Sequence, residues 1–126
     1  MRKHEFNVPL YKSVVRVFIG NELDEGVMCP YAYSSAKELK FGLKSEALCG
    51  KYQDEEVGHA YFLVLSPNIG VGDLCHECKH LVNNIFIDIG AELDANNDET
   101  ECYLLGWLVD TVYDLLFVCS HIPDEE

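Results

Sequence analysis

The sequence predicts an α+β domain, a small β-sheet with helices packed on it, and three observations carry that prediction. Two runs rich in β-branched and aromatic residues, 11–20 and 59–66, are bounded by Pro9, Gly20 and Pro67 and suit short strands. Residues 71–89 repeat apolar positions at helical spacing and stop at Gly90. A last apolar stretch, 99–119, is long enough for a second helix of several turns.

Each element follows from its own residues. "YKSVVRVFIG" (11–20) is the first strand, and "NELDEGVMCPY" after it is a polar loop with Gly26 and Pro30. "SSAKELKFGLKSEAL" (34–48) opens on serine and is built of helix formers, so it predicts a helix despite Gly42. "GKYQDEEVG" (50–58) reads as a loop. "HAYFLVLS" (59–66) is the second strand. "PNIGVGD" leads into the helix over 71–89, with Gly90 as its C′ residue. "AELDANND" is a turn, Asp98 or Asn97 caps the last helix, and Pro123 and an acidic tail lie beyond it. The expected order is β-α-β-α-α.

With 126 residues and 48% apolar composition, the expectation is one domain over 1–126 with one core. No run of about 18 apolar residues occurs, so no membrane association is expected. The start, "MRKHEFNVPLYKS", places Glu5, Asn7 and Pro9 where a signal peptide needs an apolar stretch, which points to a cytoplasmic protein. On the same ground the six cysteines, Cys29, Cys49, Cys75, Cys78, Cys102 and Cys119, are expected as free thiols. Acids outnumber bases by 22 to 9, a net charge of −13 that repels phosphate backbones, so no nucleic-acid binding is expected.

One segment carries chemistry. "LCHECKHLVNN" (74–84) contains His76-Glu77-Cys78-Lys79-His80, the form H-E-x-x-H, overlapping Cys75-His76-Glu77-Cys78, the form C-x-x-C. At about 100° per residue, Leu74, Cys78, Leu81, Val82, Ile85 and Ile89 share an apolar face, and His76, Glu77, His80, Asn83 and Asn84 lie on the other side. Histidines one turn apart can point at one ion, and Glu77 beside them can hold a water. A redox or zinc-knuckle use of the cysteines fits less well. Cys78 points into the apolar face, Cys75 lies at its edge, and there is no second C-x-x-C.

A catalytic zinc takes three protein ligands and keeps one open position. The downstream candidates are Asp94, Asp98, Glu99, Glu101 and His121. In the last helix Glu99, Cys102, Tyr103, Gly106, Asp110 and Tyr113 share one stripe, and Glu101 points about 200° away from Glu99. Gly106 weakens a helix interior, and one use for it is close approach of the His76–His80 helix, which would carry Glu99 to the metal. The competing reading is that Glu99 simply suits a helix N-terminus.

"CHECKHLVNNIF" followed by "GAELDANNDETECYLLGWLVDTVY" resembles the short zincin-like metallopeptidases of phages and mobile elements, over roughly residues 58–116. Their pattern is HExxH, a short connection, then a helix with E-x-x-A and further small residues. The resemblance implies a zincin-like minimal domain, its motif-bearing part within 58–119, with a small sheet packed against the HExxH helix and a C-terminal helix. It implies a gluzincin-type zinc site with His76, His80 and Glu99 as ligands and Glu77 as general base. Cys102 stands where the family has alanine, and Gly106 at a second small position. The implied activity is zinc-dependent hydrolysis of a peptide or protein substrate, in the host cytoplasm for a phage-encoded chain. The first 57 residues match no motif. At this size the cleft is either shallow or completed by a homodimer.

Other residues are read more plainly. A strand near a zincin helix binds extended peptide along its edge, and His59 and Tyr61 open the strand before the motif; a lone histidine there is otherwise a solvated side chain. Tyr103 and Tyr113 suit a core with wet hydroxyls better than an oxyanion role. Trp107 is assigned to the core, and "YQDEEV" to a solvated face. Two rivals keep the sequence but drop the chemistry: a binding protein with a relic zinc site, and an acidic interaction protein that mimics nucleic acid or inhibits a host factor.

Overall fold

In the computed structural model, which describes residues 1–9, 11–39 and 47–121 without the side chains of 120 and 121, the chain forms four strands and three helices. They run β1 (Arg2–Val8), β2 (Ser13–Ile19), α1 (Pro30–Glu38), β3 (Ala47–Asp54), β4 (Gly58–Leu65), α2 (Val71–Ile89) and α3 (Glu99–His121). The domain is α+β, as the patterning predicts. The strands make one mixed sheet in the order β1-β2-β4-β3. β2 and β4 pair in parallel at its centre, and the outer pairs are antiparallel.

Burial explains this order. β2 and β4 are apolar on both faces, so they are stable only where both faces are covered. One face receives α1, whose Ala32 and Ala36 pack with Met28 on Phe18, Phe62 and Val64. The other receives α2 and α3, whose Leu74, Leu81, Ile85, Leu108 and Val112 pack on Val15, Val17, Leu63 and Leu65. Each such fully buried side chain contributes about 1.5–3 kcal/mol. Arg16 breaks the apolar run of β2. It donates to Glu5 of β1 and Asp54 of β3, both at 2.7 Å, and to the Tyr52 hydroxyl, so one guanidinium ties both edge strands to the centre.

Several expectations change. The strands read from sequence as 11–20 and 59–66 are β2 and β4, with ends shifted by one or two residues. β1 and β3 have no counterpart in the expected β-α-β-α-α order, and the loop expected over 50–58 is largely β3. Both strands lie at sheet edges, where one ladder and a wet face suffice, so their sequences are polar. The helix expected over 34–48 begins earlier, with Pro30 in its first turn, and ends at Glu38. Of the remainder of that stretch, 40–46 lies outside the described residues, and Ala47 and Leu48 belong to β3.

α2 has the expected bounds, and Gly90 closes it at φ 75° with its N–H bonded to the Ile87 carbonyl. Its buried face includes Phe86 and leaves Ile89 exposed. α3 starts where expected, with the Asp98 carbonyl accepting from the Cys102 N–H. Over Glu99–Cys119 it is long and apolar enough, by length and composition alone, to cross a membrane, and 22% of that window is buried.

Candidate metal centre

The site begins with helix periodicity. Four residues make a little over one turn, so His76 and His80 stand one above the other on the face of α2 turned from the sheet. Both rings are exposed. Their Nε2 atoms face each other at 3.1 Å, and the rings meet edge to face with centroids 4.7 Å apart. A tetrahedral ion holding two imidazole nitrogens at about 2.0–2.1 Å spaces them about 3.3 Å apart. The pair therefore stands within a few tenths of an ångström of a chelating separation.

Glu77 lies 100° round the helix, toward edge strand β3, and is half-buried. Its carboxylate accepts from the Cys49 thiol. Burial first, and that carboxylate second, push the Cys49 thiol far above its ordinary range. Burial likewise pushes Cys78 up to about 12, helped by the charges of Cys75 and Glu77. All six cysteines are free, and Cys78 is buried in the apolar face, as its position predicts.

The carboxylates of α3 separate into two directions. Lys79 bonds Glu101 at 3.0 Å, which sets the first turn of α3 beside the histidine-bearing part of α2. Glu99, 200° away from Glu101, is exposed on the outer stripe with Tyr103 and Gly106. Among the described residues no three His, Cys, Asp or Glu side chains converge on one point, so the structure joins His76 to His80 but does not bring Glu99 to them. The side chain of His121 lies outside the described residues.

The stripe itself is corrected. Gly106 does not receive α2: a Cβ built there meets no atom within 4 Å. The stripe shared by Glu99, Cys102, Tyr103, Gly106, Asp110 and Tyr113 is the solvent face of α3. Tyr103 and Tyr113 are exposed rather than core, while Trp107 packs edge-on against Phe6 with ring centroids 5.5 Å apart.

A second polar cluster lies at the other end of α2. The buried Tyr61 donates to Asp88 at 2.6 Å, Lys51 donates to the other carboxylate oxygen at 3.1 Å, and His59 Nδ1 stands 3.8 Å from Asp88. His59 is more than a solvated side chain, since its ring also meets Gln53 at 3.0 Å. Burial opposes ionisation of Asp88, but Tyr61 and Lys51 outweigh it and hold the carboxyl below its usual range. The same burial and contact raise the Tyr61 hydroxyl. One signal in the sequence pointed here: an acid in the last turn of a helix opposes the helix dipole and needs compensation nearby. The cluster borders a cavity of about 270 Å³ at the edge of the sheet.

Comparison with known proteins adds no assignment: no protein-family model matches the chain, and neither does any curated protein or solved structure.

Proposed function

We propose that this chain is a small zinc-dependent peptidase of gluzincin type, a zincin-like minimal domain. The observation that carries the proposal is the facing pair of Nε2 atoms, 3.1 Å apart on an exposed turn, with Glu77 between them in sequence. The two imidazoles fit zinc, and with a carboxylate they make a common catalytic combination. His76 and His80 would hold the ion, and Glu99, which faces away from α2, would join them only if the first turn of α3 unwinds and turns toward the pair. Bound there, zinc supplies a Lewis acid and an activated water.

The chain's own residues do the rest. Glu77 stands on the side of α2 nearest β3, where it takes a proton from water and returns it to the departing amine. β3 rather than the central β4 offers an open ladder, so an extended peptide pairs along β3 and passes Glu77. The acidic surface favours substrates carrying basic residues.

The test uses two variants and two readouts. Glu77→Gln keeps zinc and loses at least about a hundredfold in peptide hydrolysis, because the base is gone and the ligands remain. His76→Ala loses both. Protein that takes up no zinc on titration, or hydrolysis unchanged in Glu77→Gln, overturns the reading.

One observation favours a second reading, a non-catalytic interaction protein: the outer face of α3 is aromatic and exposed. On that reading Glu77→Gln leaves the biological effect intact, while changes on α3 remove it.

A further inference from the structure

The outer face of α3 combines two properties that rarely share a helix. It is apolar: Tyr103 is 76% exposed, Tyr113 52% and Phe117 53%. At 150–250 Å² per ring, these three leave roughly 300–450 Å² of aromatic surface in water. Tyr113 and Phe117 adjoin one turn apart, while Tyr103 stands about 15 Å along the axis, so the face carries two exposed aromatic sites in line. The face is also acidic. Glu99, Asp110 and Asp114 are exposed among the rings, and α3 contains no Lys or Arg over its 23 residues.

Two apolar hollows flank the stripe. One, of about 410 Å³, lies between Tyr103 and Trp107 on α3 and Pro9 and Tyr11 at the β1–β2 turn. The other, of about 170 Å³, lies between Tyr113 and Phe117 on α3 and Ile69 and Val71 before and at the start of α2. Tyr103 and Tyr113 are about 15 Å apart along the axis, close to three helical turns. Between them Gly106 leaves a dip with nothing above it within 4 Å.

We infer that this face binds a cationic amphipathic helix of a partner protein, laid along α3. Two large apolar side chains about eleven residues apart pack on Tyr103 and on Tyr113 with Phe117, and Lys or Arg beside them faces Asp110 and Asp114. The Gly106 dip lets the partner's backbone come close at the midpoint. Charge decides the occupant. A second copy, itself acidic with −13 over its whole length, would set the same Asp110 and Asp114 against this face, and the exposed aromatic area is about half of what each partner gives to a standard stable interface. A basic helix meets the same area with attraction in place of repulsion. An anionic bilayer is disfavoured for the same reason as a second copy. The inference does not rest on the peptidase reading: Glu99 is shared with it, but Tyr103, Asp110, Tyr113, Asp114 and Phe117, which carry the inference, are assigned neither to the metal nor to proton transfer.

The experiment uses the full chain and a fluorescent 18-residue helix of Leu, Lys and Ala with two Trp eleven apart, read by anisotropy at two salt concentrations. Saturable binding is expected, weakening as salt rises. Tyr103→Ala and Tyr113→Ala each weaken it at least about tenfold, and Asp110→Asn with Asp114→Asn flattens the salt dependence. Controls are a scrambled peptide, a peptide with the Trp residues seven apart, and Glu55→Gln with Glu56→Gln on the β3–β4 turn. The inference is overturned by equal binding of the scrambled peptide, or by loss in the Glu55/Glu56 variant equal to that on α3. It is also overturned by a concentration-dependent dimer that Tyr113→Glu dissolves, or by uptake onto anionic vesicles that Tyr113→Glu abolishes. Circular dichroism of each variant confirms that a loss is not unfolding.

Discussion

Zinc titration followed by thermal unfolding separates Glu99 from every other acid on α3. A ligand that binds only the folded protein stabilises it by RT ln(1 + [L]/Kd), about 2.7 kcal/mol at a hundredfold excess over Kd. For a chain of this length each kcal/mol moves Tm by roughly 3–6 °C, so zinc should raise Tm by roughly 10 °C. His76→Ala should remove that increment, because one imidazole cannot chelate alone. Glu99→Gln should weaken zinc at least about tenfold, which cuts the increment at the same zinc concentration by about 1.4 kcal/mol, or roughly 4–8 °C. Glu101→Gln is the internal control. It breaks the 3.0 Å ion pair with Lys79, costs up to about 1 kcal/mol of stability without zinc, and leaves the zinc increment unchanged. An increment equal in Glu99→Gln and the parent protein would refute the assignment of Glu99. Loss of the increment in Glu101→Gln but not in Glu99→Gln would move the third ligand to Glu101.

Three further outcomes follow from the packing. Gly50→Ala places a Cβ 2.5 Å from Phe62 Cζ, so the ring must shift; urea unfolding should show a loss of about 1–2 kcal/mol, partly restored by pairing the change with Phe62→Leu. Gly106→Ala meets nothing, so it should stabilise the free protein by about 0.5–1 kcal/mol while weakening the basic-helix probe. Asp54, held to about 2 by the Arg16 guanidinium and then by the Glu56 and Val57 N–H groups, titrates below its unfolded value near 3.9. Its stabilisation is therefore complete above about pH 4 and is lost as pH falls through 2. Acid unfolding of Asp54→Asn should show a shallower slope over that window, and an unchanged slope would remove Asp54 from the account.

The sequence was legible where pattern is local and failed where position in the sheet decides. The apolar spacing of α2 and the αL glycine at Gly90 needed no partner to be recognised, and the bounds 71–89 agree with the structure. β1 and β3 were not legible, because Lys3, Glu5, Lys51 and Gln53 suit a strand only at an edge, and nothing local marks an edge. The pairing of His76 with His80 follows from helix geometry alone. The direction of Glu99 depends on how α3 rotates against α2, and that rotation is set by Leu104, Leu108 and Val112 seating on the sheet. Gly106 was misread for the same reason: a glycine marks an open place on a helix without saying which neighbour fills it.

The histidine pair has a kinetic consequence that its geometry alone does not show. Both side chains belong to one turn of one helix, so the pair exists as soon as that turn forms, before any tertiary contact. The sheet waits longer, since its central parallel ladder joins Val14 to Ala60 across an intervening helix and strand. An ion bridging positions four apart fixes the first turn, the costliest step in making an isolated helix. Zinc present during synthesis would staple α2 while the strands are still searching. Zinc content would then report the birth of a helix, and only the part of the affinity owed to Glu99 would report that the chain has finished folding.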